Sequence, residues 1–148
     1  MRCRWLSALV VSTVVLGAGA QVAAASQSKS VMAQWRAAEK PFTAADYRWS
    51  NVIGQSNAPW TKVKAANGAF VPAIKTFNTA LGKIHFTGSA AGDIGKVIAL
   101  QKQEITLLST ASSEKTFVSG FKALVPKFVQ LQTALGKDLG VPAGDIII

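Results

Sequence analysis

Apolar residues recur along this chain at the spacing of a helix surface. Phe117, Phe121, Leu124, Phe128, Leu131 and Leu135 follow one another at intervals of 4, 3, 4, 3 and 4 residues, which lays one continuous apolar stripe down a helix. Upstream, Val63, Ala66, Phe70, Ile74, Phe77, Leu81 and Ile84 repeat the pattern with intervals of 3, 4, 4, 3, 4 and 3. Between them Ile94, Ile98, Ile105 and Leu108, with Val97, Leu100 and Leu107 beside them, give a third helix a broad apolar face. No stretch alternates convincingly with period two, so the pattern predicts an all-α protein, an antiparallel up-and-down four-helix bundle.

Cap and breaker residues set the expected boundaries. Thr43-Ala44-Ala45-Asp46 reads as a capping box with Asp in place of Glu, and Phe42 with Tyr47 falls at the staple positions, predicting a helix from Thr43 to about Gly54. Before it, Val31, Met32 and Trp35 predict either a short extra helix or a continuation kinked at Pro41. The turns Gln55 to Pro59, Thr87 to Ser89 and Ser112 to Glu114 separate helices over 59–84, 89–111 and 114–139. Leu139-Gly140-Val141-Pro142 ends the last, with Gly140 free to take the left-handed C′ conformation. Phe70, Ile74, Phe77, Leu81, Phe117, Phe121, Leu124, Phe128 and Leu131 are the expected core. Pro72 and Pro126 lie inside the strongest stripes and predict bends, which either curve the helices around the core or open a cavity between them.

Residues 70–83 (FVPAIKTFNTALGK) and 124–137 (LVPKFVQLQTALGK) align without gaps at an offset of 54, with seven identities in fourteen. Two explanations stand side by side: a duplicated helical hairpin, and coincidence between two Ala- and Leu-rich helices.

The first 25 residues carry a different pattern. Arg2 and Arg4 precede an apolar run from Leu6 to Leu16, followed by two small-x-small sites, Ala18-Gly19-Ala20 and Ala23-Ala24-Ala25. This predicts a cleaved export signal over 1–25 and a single helical domain over 26–148, secreted or associated with the cell envelope. Were the segment left uncleaved, it would be the chain's contact with a membrane. Removing Arg2 and Arg4 leaves 14 basic against 7 acidic residues, a net charge of +7, and removing Cys3 leaves no thiol and no disulfide. Twelve of the 14 cations are lysines without a run of three, a pattern of solvated helix faces and not of phosphate-and-base recognition. No nucleic-acid partner is expected; the excess charge points to weak attraction toward an anionic envelope.

Reactive groups are scarce. His85 is the only histidine, placed at the end of the 59–84 helix, and the acids Glu39, Asp46, Asp93, Glu104, Glu114, Asp138 and Asp145 are widely separated. Ser-x-x-Lys occurs three times, at Ser26, Ser112 and Ser119, without the companion elements of serine acyltransferases. Gly92-Asp93-Ile94-Gly95-Lys96 has Ala90 where a phosphate loop needs glycine and Val97 where it needs Ser or Thr. No catalytic residue, metal ligand or cofactor is expected, and the chain reads as a non-enzyme. What remains is apolar: Trp35, Trp49 and Trp60 near one another in sequence, and the tail Ile146-Ile147-Ile148. These six residues form the candidate contact surface for an envelope component or protein partner. Completion of the core is the competing use of the tryptophans, and packing on the bundle that of the tail.

The signal segment, the Phe-rich amphipathic helices, the Ala-Leu-Gly-Lys segments and the Asp-Leu-Gly-Val-Pro ending together resemble small exported helical proteins of high-GC Gram-positive bacteria. The resemblance implies a secreted bundle and brings no activity, ligand or catalytic residue. Two functions follow: an exported interaction protein, and a carrier of an apolar small molecule or lipid in a cavity between kinked helices.

Overall fold

A computed structural model describes residues 27–148; the export signal expected over 1–25 lies outside them. Four helices follow one another, α1 (Lys29–Ile53), α2 (Trp60–Leu81), α3 (Ser89–Thr110) and α4 (Glu114–Leu139), then a 3₁₀ turn over Ala143–Asp145. Consecutive helices are joined by short loops and pack against each other, as an antiparallel four-helix bundle requires. Trp49 of α1 reaches Phe117 and Phe121 of α4 with ring centroids 6.5 and 5.4 Å apart, which brings the last helix onto the first.

The N-terminal boundary differs from the expectation. α1 starts after Ser28, whose hydroxyl accepts the Val31 N–H at 3.2 Å, and runs unbroken through Pro41. The Thr43 capping box therefore starts nothing: Thr43 and Asp46 lie inside the helix. Burial explains why. Val31, Trp35, Phe42, Ala45 and Trp49 form one buried face on both sides of the proline, whose ring is exposed, so packing along the whole face offsets the lost backbone bond. Phe42 stacks on Phe77 at 4.5 Å and on Phe70 at 5.6 Å, holding α1 to α2 at the level of the proline.

α2 buries Val63, Asn67, Phe70, Ile74, Phe77 and Leu81, and stops at Leu81. Ile84 is buried in the following loop and His85 is exposed beyond the helix end, so the expected extension to residue 84 does not form. Gln27 fastens this loop to the segment just before α1: its amide donates to the Thr87 carbonyl at 3.0 Å and accepts the Thr87 N–H at 3.1 Å. Gly88 has φ 63° and ψ −145°, a backbone open to glycine and hardly to other residues, and it turns the chain into α3.

α4 begins with Ser113 accepting the Thr116 N–H at 3.2 Å and ends at Gly140 with φ 68° and ψ 30°. Val141 N–H bonds the Gly136 carbonyl at 2.9 Å and Gly140 N–H the Lys137 carbonyl at 3.3 Å, the paired bonds of a Schellman ending. The echoed segments hold matching positions: Phe70 and Leu124, Ile74 and Phe128, Leu81 and Leu135 are buried in pairs, while Pro72 and Pro126 are both exposed. Their ends diverge, since α2 stops before Gly82 and α4 continues past Gly136. Of the nine expected core residues, seven are buried; Phe121 and Leu131 are half-buried at the bundle edge.

Candidate functional site

The six residues of the expected contact surface are turned inward. Trp35, Trp49 and Ile146 are buried; Trp60, Ile147 and Ile148 are half-buried against the core. Trp35 packs edge-on against Phe77 and Phe86, and Trp60 against Phe117 at 5.9 Å. The tail is tied by polar bonds as well. Gln132 donates to the Ile146 carbonyl at 2.9 Å, and Glu39, paired with Arg36 at 2.9 Å, accepts the Ile147 N–H at 3.2 Å. The tryptophans thus pack into the core and the tail packs on the bundle, with Ile146 buried and Ile147 and Ile148 half-buried, which reduces the exposed apolar area of an otherwise adhesive C-terminus.

The structure gathers polar side chains elsewhere, inside the bundle. On α1, Asp46 is half-buried and Trp49, one turn later, donates its indole N–H to the Asn67 side-chain oxygen of α2 at 2.8 Å. On α3, Gln101 and Glu104 lie one turn apart on the buried face, with exposures of 0 and 5 %. Burial pushes the Glu104 carboxyl up to about 8, and the nearby Asp46 charge adds to the rise. Burial raises Asp46 too, with the Ser50 hydroxyl beside it pulling the other way. Two acids 58 residues apart in the sequence are therefore brought within electrostatic reach by α1 and α3. Both amide atoms of Gln101 and the amide nitrogen of Asn67 are buried without a hydrogen-bond partner. Each such atom costs on the order of 1–3 kcal/mol, so the layer is expensive for a core to carry.

No family model, no curated protein and no solved structure matches this chain. The residues alone must speak for the site.

Three of the other acids, Glu39, Asp93 and Asp138, have plain structural partners. Asp93 pairs with Lys96 at 2.6 Å and Asp138 accepts the Ser89 hydroxyl at 2.7 Å. Among the described residues no group of three or more His, Cys, Asp and Glu side chains converges, and no helix is long and apolar enough to cross a membrane. A pocket at the α1–α2 turn, walled by Ile53, Val63 and Phe117, has a volume of about 20 Å³, room for roughly one water molecule and not for an apolar ligand.

Burial also sorts the charges in a way the sequence alone did not reveal. All twelve lysines and both arginines of the described residues are exposed, whereas of the seven acids only Glu114 and Asp145 are. The long cationic side chains keep their heads in water while the carboxylates are drawn into pairs, bonds and the polar layer. The outer surface therefore exposes many more cations than acids, although Arg36 and Lys96 each carry a largely buried carboxylate beside them.

Proposed function

We propose that this chain is an exported, non-enzymatic helical-bundle protein that associates with anionic polymers or lipid headgroups of the cell envelope through its lysine-covered surface. The observation that carries the reading is the segregation of charge: fourteen exposed cations face solvent with two exposed acids. A surface of one sign raises the local concentration of counter-charged groups and speeds encounter, with an attraction that salt screens. The n-region, apolar run and Ala-rich sites of the first 25 residues support export. Attachment through apolar surface draws less support, because Trp35, Trp49 and Ile146 are buried and Trp60, Ile147 and Ile148 are half-buried against the core. The carrier reading finds no support in the small pocket at the α1–α2 turn.

The test is fractionation of an exporting culture. Protein in the envelope pellet should be released by high salt and not by non-ionic detergent, and should run at the size of the cleaved chain. Release by detergent alone would replace the electrostatic reading with an apolar one, and retention inside the cell would remove it.

A further inference from the structure

The lysine-covered surface is uneven. Both exposed acids lie off α2 and α3: Glu114 opens α4, and Asp145 stands in the tail, where its carbonyl accepts from the Arg36 guanidinium at 3.4 Å. α2 carries no acid, and the two on α3, Asp93 and Glu104, are buried. Helical register then sets three lysines along the outer seam between these helices. On α2 the rings of Phe70 and Phe77 face α1, where both stack on Phe42. Lys64, Gly68 and Lys75, at intervals of 4 and 7, lie exposed on the flank away from those rings and so border α3. On α3, Leu107 packs on Gly120 of α4; Gly95 and Lys102, seven apart and exposed, lie on the flank away from it and border α2. None of the three lysines has an acidic partner among the described residues.

α2 and α3 run antiparallel and pack against each other from the loop that joins them. Lys75 lies six residues before Leu81, the end of α2, and Gly95 six after Ser89, the start of α3; Gly68 and Lys102 each lie thirteen from the same ends. Across the seam, Lys75 and Lys102 each stand at about the level of a glycine. Nothing in the chain requires those glycines. A Cβ at Gly68 or Gly95 meets nothing within 4 Å, whereas one at Gly120 or Gly136 would strike Leu107 or Ala143, and neither open glycine has a positive φ. Glycine inside a helix costs about 0.5–1 kcal/mol relative to alanine. What it provides here is room for another molecule to come close to the helix backbone. The exposed large apolar side chains, Tyr47 and Val129, lie on α1 and α4, so the seam has no anchor for the side chains of a peptide. A bilayer surface would rest on the lysine tips and not enter the notches. A slim anionic chain can do both.

Resting on the electrostatic reading above, we propose that the α2–α3 seam is the seat of a slim linear polyanion such as a polyol phosphate. Its anionic groups meet Lys64, Lys75 and Lys102, which span roughly 16 Å along the helix axis, and its backbone lies over the notches at Gly68 and Gly95.

The test is calorimetric titration of the purified protein with soluble polyglycerol phosphate at low salt. Combined Lys64→Gln, Lys75→Gln and Lys102→Gln should weaken binding about tenfold or more. The same loss of charge on α4, by Lys115→Gln, Lys127→Gln and Lys137→Gln, should weaken it no more than about twofold. Gly68→Ala and Gly95→Ala should raise the urea midpoint yet weaken polymer binding about threefold, a split between stability and binding that a purely structural role for the glycines does not give. Equal losses in the two triple variants would overturn the seam while leaving the lysine-covered surface standing, and no salt-sensitive binding by the parent would remove both. Glycine variants that bind like the parent would overturn the close approach. Tighter binding, per charge, of poly-glutamate or of phosphatidylglycerol vesicles than of the polymer would overturn the occupant in favour of an acidic protein or a lipid surface.

Discussion

Glu104 makes the stability of the protein depend on pH in an unusual direction. Its carboxyl is pushed by burial, and secondarily by Asp46, from an ordinary 4.5 to about 8. Between those two values the folded protein holds a proton that the unfolded chain has released. The folded state therefore binds more protons than the unfolded one, and stability must fall as pH rises through that window. One proton of difference corresponds to about 1.4 kcal/mol per pH unit, so the loss from about pH 5 to pH 8 approaches ~4 kcal/mol. Above that range both states are ionised and the curve flattens. Glu104→Gln removes the titration while keeping size and shape. Urea unfolding followed by tryptophan fluorescence, at constant ionic strength across that pH range, should show the parent losing stability with the predicted slope and the variant nearly flat relative to it. The slope is decisive and not the midpoint at any one pH, since the new amide adds its own unpaired atoms at every pH. Parallel pH curves for parent and variant would refute the buried-acid reasoning.

Further substitutions test the fold around the site. Gly68 is exposed in the middle of α2, and a Cβ there meets nothing within 4 Å, so Gly68→Ala should stabilise the protein by roughly 0.5–1 kcal/mol in urea unfolding. Gly136→Ala should destabilise, because its Cβ would stand 2.9 Å from both the Val141 carbonyl oxygen and the Ala143 Cα; protease cleavage in the 141–148 tail should rise with it. Phe77→Ala, which removes a buried ring stacked on Phe42 and edge-on to Trp35, should cost roughly 3–5 kcal/mol in the same assay.

The bundle was legible because its apolar stripes recur at helical spacing, and α4 starts at the break expected over Ser112 to Glu114 and ends at the left-handed Gly140. α1 was legible only in part. A local capping signature at Thr43 competed with a buried face that continues through Pro41, and tertiary packing decided the matter. The polar layer is hidden because its members interrupt rows that are otherwise apolar. The row Ile94, Val97, Gln101, Glu104 and Leu108 keeps intervals of 3, 4, 3 and 4, and the row Val63, Asn67, Phe70 and Ile74 keeps 4, 3 and 4. Asn67, Gln101 and Glu104 thus occupy core positions in strict register, and a polar residue in an apolar row was the available clue. The approach of Asp46 to Glu104 had no such clue, since it depends on how α1 and α3 face each other across the bundle. Nor could the sequence show that the acids are withdrawn from the surface while the lysines are not, because burial of a carboxylate depends on partners supplied by other helices.

The central claim, that the lysine-covered surface binds polyanions, is tested most directly by the salt dependence of binding. The purified protein is titrated onto phosphatidylglycerol vesicles, phosphatidylcholine vesicles and a soluble polyglycerol phosphate, from about 0.01 to 1 M salt, over which the Debye length shrinks from ~30 to ~3 Å. Binding to both anionic partners that weakens steeply with salt, with none to the neutral vesicles, is the predicted result. Binding to the polymer alone or to the anionic vesicles alone would assign the source of the negative charge. Equal binding to neutral and anionic vesicles, or affinity indifferent to salt, would contradict the account.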